Sequence, residues 1–147
     1  MSNQPPKLYL AGPEVFRPDA IEYARKQRGL CEQYGFIGLH PMDNNVDLED
    51  SSMRTATKIY RSDIDQIRAC DIVAANCNAF RGALIDDGTA YELGYGNALG
   101  KRTYGYIDRL IPAKEYVQSR CSLRTLADGR QVDGDGFLLV DDFGTSI

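Results

Sequence analysis

Short apolar runs alternate along this chain with longer amphipathic segments, and this alternation is the feature that most constrains the fold. The first run, Leu8–Ala11, is closed by Gly12-Pro13 and followed by an amphipathic segment that ends at Gly35. Such alternation with short connections is typical of parallel strands joined by crossover helices. It predicts helices over about Pro18–Tyr34, Met53–Ala69 and Gly88–Leu99, and strands at Leu8–Ala11, Phe36–Leu39, Asp71–Ala75 and Arg102–Ile107.

The C-terminal third of the chain is less regular. Gly136–Val140 is a candidate fifth strand, residues 110–135 form an irregular segment, and Asp128-Gly129 lies where a hairpin turn is expected. We therefore predict an α/β fold with a parallel five-stranded sheet and helices on both faces. Because the chain has 147 residues, we expect a single domain over residues 1–147.

The composition is that of a folded globular protein, and it excludes several classes of partner. Hydrophobic residues make up 43% of the chain and charged residues 26%, and the net charge of −4 does not suit a nucleic-acid partner. No apolar run approaches the roughly 18 residues that a membrane span needs. The N-terminus has no apolar signal region, so we expect a cytoplasmic protein.

Cysteine and histidine usage argues against a zinc site of ordinary composition. The four cysteines, Cys31, Cys70, Cys77 and Cys121, form no C-x-x-C pair, and His40 is the only histidine. We expect these cysteines to be reduced thiols.

Open α/β sheets bind ligands beyond the C-terminal ends of their strands. The loops after Ala11, Leu39 and Ala75 are therefore the places to look for a site. The first of these loops, Gly12–Phe16, matches neither G-x-G-x-x-G nor a P-loop, so it offers no glycine cradle for a dinucleotide or a triphosphate. From the residues alone, Gly12-Pro13 is equally well explained as a simple turn.

A carboxylate interrupts the apolar face of the second predicted helix. Asp63 lies within this face at helical spacing, and burial would raise the pKa of its carboxyl toward the range of a general acid. The alternative is structural, with Asp63 capping a nearby loop or pairing with an arginine such as Arg61. Asp65, on the polar side of the same helix, serves as a comparison. The apolar face consists of Ala56, Ile59, Tyr60, Ile64 and Ile67.

Three carboxylates are concentrated in the segment Asp86–Gly94, DDGTAYELG. Thr89 and Glu92 have the spacing of a capping box, which would make Glu92 a structural partner of the helix N-terminus. Alternatively, this segment is a sugar site in which the helix dipole keeps Glu92 ionised as a nucleophile, while Asp86 and Asp87 accept hydrogen bonds from sugar hydroxyls. An ionised Glu92 and a protonated Asp63 would together give the two-carboxylate chemistry of glycosidic cleavage.

Four stretches resemble, in order, the nucleoside 2-deoxyribosyltransferase family. They are KLYLAGPEVF at Lys7–Phe16, PMDN at Pro41–Asn44, DIDQI at Asp63–Ile67 and DDGTAYELG at Asp86–Gly94. The last contains Asp-x-Gly-x-x-x-Glu-x-Gly, the most specific element of the family. The resemblance runs from Lys7 to the last residues. It implies a flavodoxin-like (Rossmannoid) fold, exchange of the base between 2'-deoxynucleosides through a covalent deoxyribosyl enzyme, and no metal or organic cofactor.

The resemblance also implies roles for individual residues. Glu92 matches the nucleophile of the family, Tyr9 the hydroxyl that orients its carboxylate, and Asp63 the acid that contacts and protonates the base. Asp86 matches the aspartate that binds sugar hydroxyls, and Phe16 matches an aromatic wall. Asn45 stands where the family has a polar side chain near the base. The substrate-binding candidates are thus Asp86, Gly12, Phe16, Asn45 and Gly88.

Members of this family assemble from dimers into larger oligomers, so the resemblance implies a homo-oligomer such as a tetramer or hexamer. The run VDDFG at Val140–Gly144 resembles the one that precedes the family's Asn-x-Met element, which reaches the site of a neighbouring subunit. The sequence stops at Ile147 without that element. We therefore expect either a shortened chain or an incomplete shared site.

The candidate carboxylates and the family resemblance together favour a nucleoside deoxyribosyltransferase of nucleoside salvage, acting on 2'-deoxynucleosides and free nucleobases. A hydrolase of nucleoside 5'-monophosphates would share the carboxylate chemistry, but it needs a phosphate-binding loop after the first strand, where Glu14 places an acid. A non-enzymatic signalling module of receiver type would need an aspartate at the end of the third strand, where Asn76 and Cys77 stand. The sequence does not distinguish purine from pyrimidine preference.

Overall fold

The computed structural model describes residues 4–43 and 53–139. The predicted alternation of strands and helices is confirmed, and the helix predicted at Met53–Ala69 has these bounds in the structure. No helix in these two ranges combines the length and the apolar character needed to cross a bilayer. The elements are β1 Lys7–Ala11, α1 Ala20–Gln33, β2 Ile37–Leu39, α2 Met53–Ala69, β3 Ile72–Asn76, α3 Asp87–Ala98 and β4 Arg102–Tyr106, with 3₁₀ turns at Pro13–Phe16 and Pro41–Asp43.

The main sheet is parallel, with the strand order β2-β1-β3-β4. Leu8 is in register with Gly38, and the next residue, Tyr9, is in register with Val73. Helix α1 lies directly against Gly38, whereas α3 lies against Val73 through Gly96. Since successive residues of a strand face opposite sides of a sheet, α1 and α3 cover opposite faces. The prediction of helices on both faces is confirmed.

A hydrophobic core cluster lies on the face of the sheet covered by α2 and α3, which contact each other. Close packing is allowed by Gly96, where an added Cβ would lie 2.7 Å from Val73 Cγ2. This packing brings α3 directly over the side chains of β1 and β3. The buried members of the cluster are Tyr9, Ala11, Ile67, Cys70, Val73 and Ala75.

The segment between residues 110 and 135 has more structure than the sequence predicted. It contains the helix α4, Ala113–Arg120, and an antiparallel pair formed by β5, Arg124–Thr125, and β6, Gln131–Val132. Residues 110–135 were predicted to be irregular, so that prediction is wrong. The predicted hairpin turn at Asp128-Gly129 is confirmed, and Gly129 has the positive φ of 84° that favours glycine there.

The prediction of a five-stranded sheet is wrong, because the parallel sheet has four strands within the described ranges. The candidate fifth strand, Gly136–Val140, instead turns back on the hairpin, where Leu138 bridges Val132. The N–H of Leu139 donates to the carbonyl of Gln131 at 2.9 Å. Backbone groups that would have paired with β4 are therefore used locally. Val140 itself lies outside the described residues.

Candidate active site

A cavity of about 410 Å³ opens at the C-terminal edge of β1, between the two 3₁₀ turns and the helices α2 and α3. We call it the first cavity. Residues far apart in the sequence meet there, because parallel strands end at the same edge of the sheet. Its lining consists of Gly12, Val15, Phe16, Pro41, Met42, Ile59, Asp63, Asp86, Gly88, Thr89 and Glu92.

Most of the site residues predicted from the sequence come together in this first cavity. Tyr9 lies beneath it, in contact with Glu92. Asn45 lies outside the described residues. The predicted residues that line the cavity are Gly12, Phe16, Asp63, Asp86, Gly88 and Glu92.

Sequence reasoning missed part of the apolar wall of the first cavity. Met42 belongs to the PMDN stretch, which was recognised but given no role. Ile59 precedes Asp63 by four residues, so helical spacing already placed both on one face of α2. Val15, within the loop after β1, carried no signal of its own. The full set of missed lining residues is Val15, Pro41, Met42, Ile59 and Thr89.

Tyr9 and Glu92 form the central contact of the site. The hydroxyl of Tyr9 donates to Glu92 Oε1 at 2.6 Å, and the Tyr9 side chain is completely buried. Burial raises the pKa of Tyr9 well above its usual value, and the negative charges of Glu92 and Asp63 raise it further. Tyr9 therefore keeps its proton and acts as a hydrogen-bond donor throughout the physiological pH range.

The environment of Glu92 disfavours its charged form. Burial raises the pKa of Glu92 to about 7, and although the hydrogen bond from Tyr9 lowers it, the charges of Asp63 and Asp86 add to the increase. The expectation that the helix dipole keeps Glu92 ionised is thus not met at neutral pH. Glu92 lies beyond the first turn of α3, and the dipole's influence falls off within that turn.

The capping-box interpretation of Glu92 is wrong, because Asp86 caps the helix instead. Asp86 Oδ2 accepts hydrogen bonds from both the backbone N–H and the hydroxyl of Thr89, each at 2.9 Å. Glu92 is therefore available to face Tyr9 and the cavity. Asp87 is exposed and is not part of the cavity lining, so only one of the two consecutive aspartates faces the cavity.

The apolar face predicted for α2 is only partly buried. Ile64 and Ile67 are buried, Ile59 and Asp63 are half-buried at the first cavity, and Tyr60 is 52% exposed. Ala56 is also exposed. Asp65 lies on the exposed side, where it pairs with Arg68. The two neighbouring aspartates of α2 therefore have different surroundings, as the sequence predicted.

Glu14 does not line the first cavity, contrary to the expectation that it places an acid where a phosphate would bind. Its side chain is buried, and Glu14 Oε1 accepts a hydrogen bond from Asn76 Nδ2 at 2.6 Å. A Cβ added to Gly12 would lie 2.0 Å from Glu14 Oε2. Gly12 is thus needed to make room for this carboxylate.

The described lining of the first cavity has an apolar side and an acidic side. Phe16, Met42 and Ile59 contribute to the apolar side, whereas Asp63, Asp86 and Glu92 are its charged groups, with no lysine or arginine among the described lining residues. In the described ranges, no three His, Cys, Asp or Glu side chains are grouped to hold a metal ion. The cavity suits a ligand with a flat apolar part and a hydroxyl-bearing part.

Comparison with protein families agrees with this arrangement. Residues 8–145 match the family model described as nucleoside 2-deoxyribosyltransferase. The chain belongs to this family. The resemblance inferred from the sequence motifs is therefore confirmed.

Solved structures of deoxyribosyltransferases resemble this member of the nucleoside 2-deoxyribosyltransferase family. A 2-desoxiribosyltransferase from Leishmania mexicana is 33% identical with a TM-score of 0.70, over 95% of this chain and 81% of that one. A 2-deoxyribosyltransferase from Bacillus psychrosaccharolyticus is 24% identical with a TM-score of 0.58, over 79% of this chain and 83% of that one. At that identity the second likeness concerns the fold alone.

Two further relatives carry no assigned activity in their names. A conserved protein from Enterococcus faecalis V583 is 25% identical with a TM-score of 0.56, over 70% of this chain and 64% of that one. An uncharacterized protein of Schizosaccharomyces pombe is 35% identical over 114 residues, which are 74% of this chain and 54% of the relative. The chain thus spans about half the length of this curated relative.

Proposed function

We propose that this protein transfers the 2-deoxyribosyl group from a 2'-deoxynucleoside to a different free nucleobase, with Glu92 as the nucleophile. The observation that carries the proposal is the contact of Tyr9 with Glu92 at 2.6 Å, at the edge of a cavity that Asp63 and Asp86 also line. Family membership and the likeness to the Leishmania mexicana enzyme support the same reaction.

In the first half of the reaction, the ionised carboxylate of Glu92 attacks C1' of the deoxynucleoside. The C1'–N bond breaks, and its electron pair leaves with the base. Protonated Asp63 gives a proton to the departing base nitrogen, so the base leaves as a neutral molecule. The product is a deoxyribosyl ester of Glu92.

In the second half, a different base occupies the space that the first has left. Its ring nitrogen attacks C1', the C1'–O bond to Glu92 breaks, and the N–H proton of the incoming base returns to Asp63. Both groups are then in their starting states. Because two displacements occur at C1', the β configuration of the donor is retained.

Tyr9 positions Glu92 for both displacements. Because its pKa is raised, the Tyr9 hydroxyl stays protonated and donates to one carboxylate oxygen. That hydrogen bond lowers the pKa of Glu92 against the effect of burial, and so increases the fraction of the ionised nucleophile.

The two sides of the first cavity correspond to the two parts of a deoxynucleoside. The apolar wall that includes Phe16, Met42 and Ile59 accommodates the flat base. On the acidic side, Asp86 is held by Thr89 through Oδ2, and we assign its other oxygen, Oδ1, to the sugar hydroxyls. A role in nucleoside salvage, a cytoplasmic location and a homo-oligomeric state are further parts of this proposal.

The decisive experiment incubates the purified protein with one deoxynucleoside and a different free base, and analyses the mixture by chromatography. We expect the new deoxynucleoside to appear together with the free base of the donor. Two control reactions omit the acceptor base or use the Glu92→Gln variant. If deoxyribose and free base form but no new deoxynucleoside, the protein is a hydrolase and the proposal is wrong.

A further inference from the structure

A second cavity of about 550 Å³ lies on the other side of the turn Pro13–Phe16, over the C-terminal ends of β3 and β4. This edge of a parallel sheet is where α/β proteins bind ligands. Phe16 lines both cavities. The second cavity, but not the first, is also lined by Glu14, Tyr23 and Tyr106. The reaction proposed above makes no use of this second cavity.

The polar lining of the second cavity consists of Glu14, Arg17, Asn76, Asn78 and Asp108. Among these, Glu14 is buried, with only 7% of the residue exposed. Glu14 Oε1 accepts from Asn76 Nδ2 at 2.6 Å, and the hydroxyl of Tyr106 faces the same oxygen at 3.5 Å. A buried carboxylate is costly unless hydrogen-bond donors satisfy it. Glu14 Oε2 lies against Gly12, whereas Oε1 faces Asn76 and Tyr106 of the second cavity. Oε1 is therefore the oxygen that a ligand N–H would reach, in place of the long contact with Tyr106.

Aromatic rings make up much of the remaining wall. Phe16 and Phe80 are stacked, with centroids 5.2 Å apart, and Phe16 is 57% exposed. The guanidinium of Arg81 lies 4.7 Å from the centroid of Phe80 and 5.2 Å from that of Phe16, which holds the pair in place. Tyr23 and Tyr106 add two further rings. Exposed aromatic rings around a buried carboxylate fit a flat ligand with N–H donors.

We propose that the second cavity binds a free nucleobase with an exocyclic amino group, its ring against the aromatic side chains and its N–H groups donating to Glu14. The choice of a nucleobase among flat N–H donors rests on the proposed function, in which free bases are both product and substrate. Each chain then holds two bases, and Phe16 connects the two sites because it forms a wall of both.

Equilibrium dialysis with adenine tests this inference. The wild-type protein is expected to bind two equivalents of adenine per chain. Tyr23→Ala removes a ring from the second cavity alone, and we expect adenine binding there to weaken at least about tenfold. Glu14→Gln keeps an oxygen for Asn76 but removes the negative charge that strengthens hydrogen bonds to this side chain, so it is expected to weaken the same site. Thermal melting of each variant establishes that it is folded.

The reciprocal variant is Asp63→Asn, which alters only the first cavity. It is expected to leave unchanged the affinity for the adenine that Tyr23→Ala weakens. The inference is overturned if wild-type protein that catalyses base exchange binds a single equivalent of adenine that Asp63→Asn weakens and Tyr23→Ala does not. It is also overturned if the folded Tyr23→Ala protein still binds two equivalents with unchanged affinity. Absence of base exchange in the wild-type protein would count against the proposed function instead, whatever the stoichiometry of adenine.

Discussion

At the scale of single residues, the neighbours of the Glu92 carboxylate shift its pKa in opposite directions. Burial and the charges of Asp63 and Asp86 favour the protonated form of Glu92, whereas the hydrogen bond from Tyr9 favours the ionised form. The resulting pKa of about 7 leaves Glu92 divided between the two forms at neutral pH. The ionised fraction of the Glu92 carboxylate therefore changes most steeply near neutral pH.

For donors whose base leaves without a proton from Asp63, we expect kcat/KM for base exchange to rise with pH through about 7, because the proposed attack on C1' needs ionised Glu92. Tyr9→Phe removes the hydrogen bond that lowers this pKa, so the rise is expected to move to higher pH. The control is Tyr34→Phe, since Tyr34 is 74% exposed and is not among the lining residues of the first cavity. A pH profile that is the same for wild type and Tyr9→Phe would contradict the role given to this hydroxyl.

Glu92→Gln is expected to abolish transfer while the protein folds normally, since the amide keeps the shape of the side chain but has no nucleophilic oxygen. Chromatographic assay of base exchange measures the loss. The matched control is Glu32→Gln, which changes an exposed glutamate of α1. Turnover near the wild-type rate in Glu92→Gln would remove Glu92 from the mechanism.

The same variant also tests the cost of burying this carboxylate. Because the pKa of Glu92 is raised from 4.5 to about 7 on folding, the folded protein retains a proton that the unfolded chain has released. The free energy of unfolding therefore falls as pH rises from about 4.5 to about 7. At pH 8, Glu92→Gln is expected to be more stable than wild type by up to about 3 kcal/mol, and this difference should vanish near pH 4. Urea unfolding at the two pH values measures it.

Asp63→Asn is expected to slow cleavage most for bases that are poor leaving groups, since only these need a proton to depart. The measurement is kcat/KM for a series of deoxynucleosides whose bases differ in basicity. Asp65→Asn is the matched control, because Asp65 lies on the exposed side of the same helix and pairs with Arg68. An equal loss for every base would assign Asp63 a positioning role rather than proton transfer.

At the scale of elements, the glycines of α3 test how closely this helix approaches the sheet. An added Cβ at Gly96 would lie 2.7 Å from Val73 Cγ2. An added Cβ at Gly94 would have no atom within 4 Å apart from the backbone of its own helix and its chain neighbours. Gly94→Ala is therefore expected to stabilise the protein by about 0.5–1 kcal/mol through helix propensity. Gly96→Ala is expected to destabilise it by roughly 1–3 kcal/mol through overpacking. Thermal unfolding distinguishes the two variants, and equal effects would contradict the packing described.

Also at the scale of elements, the hairpin β5–β6 explains why Gly136–Leu139 does not join the parallel sheet as a fifth strand. A nearby hydrogen-bond partner for a backbone N–H or C=O costs less chain entropy than a distant one. The turn at Gly136 brings Leu138 back to Val132 before the chain can reach β4. Sequence periodicity identified the apolar run correctly but not the strand that it would pair with.

At the scale of the whole molecule, charge separates a transferase from a hydrolase of nucleoside 5'-monophosphates. The net charge is −4, and the charged groups among the described lining residues of the first cavity are Asp63, Asp86 and Glu92. A phosphate at this site would meet repulsion instead of a binding group.

We therefore expect a 2'-deoxynucleoside to be a better donor than its 5'-monophosphate, by at least about tenfold in kcat/KM at low ionic strength. The difference should shrink as salt is added, because salt screens the repulsion. Parallel assays of the two donors with the same acceptor base measure it. If the monophosphate were the better substrate and added base left the release of deoxyribose phosphate unaffected, a hydrolase would be the correct assignment.

The sequence by itself determined the elements of this protein and the candidates for its chemistry. Periodicity of apolar residues depends on local backbone geometry, so it located α2 and the four parallel strands to within a residue or two. The same periodicity placed Asp63 beside Ile59 on one face of a helix. The cluster of carboxylates at Asp86–Gly94 made Glu92 a candidate nucleophile, and the family motifs added Tyr9 as a candidate, which no local pattern distinguishes.

Only the tertiary structure decided how those candidates act on one another. Tyr9 and Glu92 are 83 residues apart in the chain, and their contact depends on α3 packing across β1. The pKa of Glu92 depends on burial and on three neighbouring side chains from different elements. Likewise, the second cavity exists because the turn after β1 meets the ends of β3 and β4. Burial and electrostatic interactions depend on distances in space, which the order of residues along the chain does not contain.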